Sequence, residues 1–138
     1  PVMVFKDKEE KHVLPVWVSP IDASVTMSQD GNQQTDANPH RLASKLLESL
    51  GVRLKKCFFK EIRGHYQFVE LHFEGDSRVK TIEARADEAI SFCLSGKADF
   101  FATREFMERC RVLDGEMLKA VFSNTKTATG RNRSQYLN

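Results

Sequence analysis

The stretch Thr81-Ile82-Glu83-Ala84-Arg85-Ala86-Asp87-Glu88-Ala89-Ile90 decides the fold, because a short extended run passes in it directly into an amphipathic helix. Beyond the junction, Ala86, Ala89, Ile90, Cys93 and Leu94 follow the i, i+3, i+4, i+7, i+8 spacing of one apolar helix face, and Gly96 ends the element. The junction also gathers Glu83, Arg85, Asp87 and Glu88 at a helix start. Free backbone N–H groups and the positive end of the helix dipole, with an arginine beside them, suit an anion, while the acids suit a cation. Acids in a first helical turn are also the ordinary complement of the dipole.

Working back from the junction, Val79 to Ala84 reads as the third strand of an antiparallel meander. Its partners are Val52 to Ile62 and Tyr66 to Phe73, joined at Arg63-Gly64-His65, with a Gly75-Asp76 turn before the third strand. In Tyr66 to Phe73, Gln67, Val69, Leu71 and Phe73 alternate with Tyr66, Phe68, Glu70 and His72, which predicts one strongly apolar face and one mixed face. Asn38-Pro39 predicts an N-cap and first helical residue, with Leu42, Leu46, Leu47 and Leu50 at helical spacing and Gly51 as a left-handed cap. Ser28 to Ala37, polar and without apolar period, reads as a mobile surface loop. Ile21, Val25 and Met27 are expected on the apolar side of a short helix starting near Ser19 or Pro20, with Asp22 in its first turn. At the front, Val2 to Phe5 and Val13 to Val18 form a hairpin-like pair, and Pro15, which has no N–H, places the second strand at an edge or bulge.

After the junction helix come a short Phe100-Phe101 strand and a helix capped by Thr103 with Phe106, Met107 and Cys110 inward. Met117, Leu118, Val121 and Phe122 make a last amphipathic turn or two behind Asp114. The expected organisation is one α+β domain over residues 1–122, with antiparallel or mixed sheet strands and packed helices. Residues 123–138 form a polar basic tail, flexible or ordered only against a partner.

Composition bounds the classes. The 138 residues suit one domain, and no apolar run approaches the roughly 20 residues a membrane span needs. Cys57, Cys93 and Cys110 are odd in number, far apart and without C-x-x-C spacing, so they read as buried free thiols of a reducing, cytoplasmic compartment. Pro1 in place of methionine reads as a processed or trimmed piece of a longer protein. Removing Lys126, Arg131 and Arg133 from the formal +2 leaves a body of −1, so a DNA or RNA partner needs a local patch or the tail.

No Walker loop, G-x-G-x-x-G, H-E-x-x-H, G-x-S-x-G or EF-hand loop is present. His40 falls in the first turn of the Asn38 helix beside Arg41, where N–H groups and a cation suit a phosphate. Asp22, Glu83 and Glu88 each lie near an element boundary, where convergent acids would hold a divalent cation that polarises a phosphoryl oxygen, with Arg85 or Arg41 neutralising developing charge.

Three separated motifs then carry a resemblance. Val13-Leu14-Pro15-Val16-Trp17-Val18 followed by Asp22-Ala23, Pro39-His40-Arg41-Leu42 leading to Leu47-Glu48-Ser49-Leu50, and Glu83-Ala84-Arg85-Ala86-Asp87-Glu88-Ala89-Ile90 resemble the bifunctional nuclease domain family. Its members typically read L-P-I-W-I-G with a Glu-Ala pair after it, then T-H-D-L, then D-A-R-P-S-D-A-I. Here Asp22 stands for a glutamate, Arg41 for an aspartate and Glu83 for an aspartate; Ala86, Asp87 and Glu88 stand for proline, serine and aspartate, while His40 and Arg85 are kept. The resemblance implies a compact, self-associating α+β domain that hydrolyses phosphodiesters in DNA or RNA. His40 is then acid, base or phosphate ligand, and Arg85 stabilises transition-state charge. Arg41 and Asp87 bind substrate, and Asp22, Glu83 and Glu88 are ligands for Mg²⁺ or Mn²⁺. The altered positions and the basic tail motivate a second reading, a module that keeps the fold, binds protein or nucleic acid and has lost the activity.

Overall fold

The computed structural model describes residues 1–9, 11–30, 39–75, 78–112 and 134–137. Two sheets carry the chain. In the first, β1 (Val2–Asp7) lies between β2 (Val13–Trp17), antiparallel to it, and β7 (Ser134–Leu137), parallel to it. The second has the order β5-β4-β3-β6, from β3 (Val52–Arg63), β4 (Tyr66–Gly75), β5 (Thr81–Arg85) and β6 (Asp99–Ala102). The β3–β4–β5 part is the expected antiparallel meander, and β6 joins β3 in parallel. Four helices accompany the strands: α1 (Pro20–Asp30), α2 (Pro39–Ser49), α3 (Ala86–Ser95) and α4, helical from 104 through 112.

Local chemistry accounts for the turns. Gly64 has φ of 59° at the first central position of the β3–β4 turn, where a II′ hairpin needs a positive φ. Gly75 has φ of 118°, and a Cβ there would stand 1.9 Å from the Gly51 carbonyl oxygen, so only hydrogen fits between the strand ends. Gly51 takes the left-handed conformation after α2, as expected, whereas after α3 it is Lys97, with φ of 54°, and not Gly96 that does so.

The core lies between the sheets and α3. Phe5, Leu14 and Val16 from the first sheet meet Phe59, Val69 and Phe100 from the second, with Phe106 of α4 and Ala86, Ala89, Ile90 and Cys93 of α3. Tilted and edge-on aromatic pairs, such as Phe5–Phe100 at 4.9 Å and Phe59–Phe106 at 5.6 Å between ring centroids, avoid stacking negative ring faces. Gln67, buried on the apolar side of β4, joins the sheets: its Oε1 accepts from the Trp17 N–H at 3.2 Å and its Nε2 donates to the Pro15 carbonyl at 2.9 Å. Edge-strand groups on β2 that lack a ladder partner are thereby satisfied by one side chain. The three cysteines are free and buried. The neighbouring Cys93 thiol and burial push the Cys57 thiol well up.

Three expectations change. Helix α1 extends through residues 28–30, which had read as loop, because each residue added to an established helix gains a backbone bond without needing an apolar period. Ile21 and Met27, expected inward, are each 75% exposed, and the buried positions of α1 are taken by Thr26 and partly by Ala23. Ser134–Leu137 of the expected tail form β7, since pairing with the open edge of β1 requires main-chain groups and no side-chain period. The proposed boundary at 122 and the turn of Met117 to Phe122 fall outside the described residues, as do Asn38 and most of the Ser28–Ala37 stretch.

Candidate active site

Helix α3 contacts β2, β3, β4 and β5 on one side and α1 and α2 on another. The second contact sets the polar chemistry. Ser19 opens α1: its Oγ accepts from the Asp22 N–H at 3.0 Å and donates to Asp22 Oδ2 at 2.6 Å, a capping arrangement that fixes the carboxylate. The other oxygen, Oδ1, accepts from Ser91 Oγ of α3 at 2.7 Å. Ser91 Oγ also lies 2.7 Å from Nε2 of His40, in the first turn of α2. Asp22, Ser91 and His40, 69 and 51 residues apart in the two pairings, thus form one chain of hydrogen bonds across three helices.

The single hydroxyl hydrogen of Ser91 orders this chain. Spent on the Asp22 carboxylate, it leaves Ser91 Oγ as acceptor, so Nε2 of His40 carries the proton and Nδ1 holds the lone pair of the neutral ring. Burial lowers the His40 pKa below its ordinary value of 6.5, and the Asp22 charge only partly opposes this. The His40 ring lies 5.9 Å from that of Phe92. Thr26, one turn after Asp22 on α1, is buried with its hydroxyl unpartnered among the described residues.

A second cluster sits at the start of α3. Arg85 is its N-cap residue, with no side-chain cap bond. Its guanidinium lies 3.8 Å over the Tyr66 ring and grips Asp87 with two nitrogens, Nε at 2.9 Å from Oδ1 and Nη2 on Oδ2; Glu88 is 3.9 Å away. Asp87 raises the Arg85 pKa further. Asp87 and Ser91 are four residues apart on α3, hence neighbours on one helix flank. Arg41 is exposed beside His40.

Glu83 belongs to neither cluster. It points to the outer face of the second sheet, where Arg63 holds it at 2.8 Å and Lys60 at 3.4 Å, and Arg63 is the main cause of its lowered pKa. Asp22, Glu83 and Glu88 therefore do not gather as ligands. Among the described residues no group of three or more His, Cys, Asp or Glu is placed to hold a metal ion. The expected Mg²⁺ or Mn²⁺ set does not fit this arrangement, because one acid is tied into a helix cap, one into a sheet-face ion lattice, and Glu88 is mostly exposed.

A family model described as the bifunctional nuclease domain matches residues 3–114. The chain belongs to that family. A search of curated proteins finds no match. In this bifunctional nuclease domain two of the three family-like motifs are bridged, Asp22 to His40, by Ser91, the residue directly after the third; Arg85 of that third motif sits in the separate cluster at the start of α3. Ser91, Ser19 and Tyr66 were not among the residues read as functional. The Ser19-x-x-Asp22 spacing is a capping signal that marks where the carboxylate is held. Ser91 carries no such signal, since it lies off the apolar stripe of α3 and is covered only because α1 and α2 arrive there. No helix among the described residues is long and apolar enough to cross a membrane.

Proposed function

We propose that this domain hydrolyses phosphodiester bonds of DNA or RNA, with His40 as general base. The observation that carries the reading is the Asp22–Ser91–His40 hydrogen-bond chain. A neutral imidazole with its lone pair fixed on Nδ1 accepts a proton from an attacking water, and the positive charge that forms is stabilised through Ser91 by the Asp22 carboxylate. Arg85, aimed by Asp87 and by its stacking on Tyr66, supplies positive charge for the phosphate, and Arg41 adds to it. Membership of the family supports nucleic acid as substrate. The self-association and cytoplasmic setting expected from the sequence remain part of this proposal; sedimentation of the purified chain tests the first.

The test is cleavage of single- and double-stranded DNA and RNA by purified protein, with Mg²⁺, with Mn²⁺ and with chelator. Cleavage lost in His40→Ala and Arg85→Ala but kept in Glu83→Gln is the expected result. Activity unaltered by His40→Ala rejects the base. A second reading, a nucleic-acid-binding module without catalysis, is favoured by the tight pairing of Arg85 with Asp87; binding without cleavage under all three conditions would select it.

A further inference from the structure

Away from α3, a cleft of about 270 Å³ opens between the β1–β2 connection and α4. Its α4 wall is one helix face, because Arg104, Met107, Glu108 and Arg111 recur at i, i+3, i+4 and i+7. Lys11 and His12 stand across from it, and Val13 with Met107 supplies an apolar floor. The position of α4 is fixed independently of this lining: Thr103 Oγ1 accepts from the Phe106 N–H at 3.1 Å, Phe106 packs on Phe59, and Gln67 donates to Cys110 Sγ at 3.1 Å. His12 is fixed too, since Asp7 accepts from its backbone N–H at 3.1 Å and meets its Nδ1 at 2.7 Å.

The charges in this lining are only partly paired. Lys11 is paired with Glu9, but among the described residues no ion pair or side-chain hydrogen bond neutralises Arg104 or Arg111, both exposed. Glu108, the one acid in the lining, pairs with neither. Seven residues of helix separate the arginines by roughly 10.5 Å at 1.5 Å per residue. Adjacent phosphates of an extended single strand lie farther apart than the ~3.4 Å axial rise per nucleotide of a duplex strand, so this reach fits phosphates no more than about two nucleotides apart. A row of cations beside a narrow apolar floor suits a chain of phosphates carrying flat bases better than one isolated anion.

We infer that this cleft binds the phosphates of a single nucleic-acid strand, through Arg104 and Arg111, as a docking site separate from the Asp22–Ser91–His40 chain. The inference rests on the reading that the domain acts on nucleic acid and extends it, because none of the cleft residues belongs to the hydrolytic proposal. The base stacks on Met107 and Val13, and His12 offers its second ring nitrogen to a phosphate or base edge.

The experiment is fluorescence anisotropy of a labelled single-stranded oligonucleotide against the full chain, over a salt series, for the parent, Arg104→Ala/Arg111→Ala and Arg53→Ala. Expected are a roughly tenfold or greater loss of affinity in the double variant and a fall of about 1.4 in the salt slope, the share of two phosphate contacts on a single strand. Arg53→Ala, which removes a cation paired with Glu74 outside the cleft, should bind as the parent does. Oligonucleotide binding that the double variant leaves unchanged in affinity and slope overturns the cleft while sparing the nucleic-acid reading. If the parent binds no oligonucleotide even at low salt, the strand assignment falls. Calorimetry with inorganic pyrophosphate then separates the two ideas: heat abolished in the double variant keeps a phosphate site in the cleft, and no heat removes that as well.

Discussion

The inner flank of α3 and the outer face of the second sheet both set acids beside bases, yet they are built in opposite ways. On the outer face, Lys60 bridges Glu70 and Glu83 at 3.4 Å each, Arg63 joins Glu83 to Glu61 and lies 4.3 Å over the Phe68 ring, and His72 pairs with Glu70 at 2.9 Å. Lys60, Arg63, Glu70 and Glu83 each have two or more partners, and all four are partly open to solvent. On the inner flank Asp22, Ser91 and His40 are linked one after the other, with Ser19 behind Asp22, and the middle residue Ser91 is fully buried. Abundant charge therefore does not mark a site. A closed lattice has already spent its charges on itself, whereas a linear chain ends on a group whose protonation state is set by everything behind it.

Removing the end of the chain should have the largest consequence. His40→Ala is expected to lower kcat for phosphodiester cleavage by about 10²–10⁴, the usual contribution of a positioned general base, and Glu83→Gln to leave it within about twofold. Steady-state kinetics on a single-stranded substrate checks both. Equal losses in the two variants would erase the distinction between flank and face.

The middle of the chain should show itself as stability. Ser91→Ala leaves a half-buried carboxylate and a half-buried imidazole without their shared partner, at a cost of about 1–2 kcal/mol. Urea unfolding measures it, with the slope against denaturant expected to stay that of the parent. A variant as stable as the parent would mean that Ser91 only fills space between the helices.

This residue also shows how much was legible in the sequence. Periodicity identified α3, its apolar stripe and the antiparallel meander because those signals are local. It assigned Ile21 and Met27 to the apolar side of α1 and gave no role to Ser91, because the cover over the second flank of α3 comes from α1 and α2, segments remote in the chain. Asp22 and His40 were recognised from family-like motifs and do meet. Glu83 was recognised in the same way and does not join them, since β5 alternation turns it to the side of the sheet opposite Ala84, where Arg63 and Lys60 hold it; Arg85 starts from that same face, and its bond to Asp87 ties its guanidinium to the start of α3. A leucine row read from α2 proved mostly solvent-facing, with Leu42, Leu46 and Leu50 more than half exposed. Spacing fixes which residues share a face and is silent on what the face meets.

Acid should separate the two regions by where they titrate. His40 has its pKa lowered by burial, so below about pH 6.5 the unfolded chain takes up a proton that the folded chain resists. Its contribution is then fully present above about 6.5 and declines as pH falls toward the lower folded value, flattening beyond it. The outer-face Glu83, lowered by Arg63 and Lys60, loses its contribution only as pH falls below the ordinary carboxylate range. Unfolding midpoints across pH 4.5–7.5 should therefore slope in the parent and slope less in His40→Gln, with Glu83→Gln parallel to the parent over that window. A parent curve flat throughout would show that the imidazole is as free to protonate as in the unfolded chain.

The smallest effect is expected where the ion pairs are most numerous. In Glu83→Gln, Arg63 keeps Glu61 and its seat on Phe68, and Lys60 keeps Glu70, so the lattice closes around the change. Exposed pairs of this kind also give up in side-chain freedom much of what they gain in attraction. The thermal midpoint should match the parent within error at physiological salt, and any small difference at low salt should disappear near 1 M, where screening acts within about 3 Å. A large, salt-resistant loss in Glu83→Gln would make the outer lattice a structural keystone, and redundancy of partners would no longer explain why the inner chain is the more sensitive of the two.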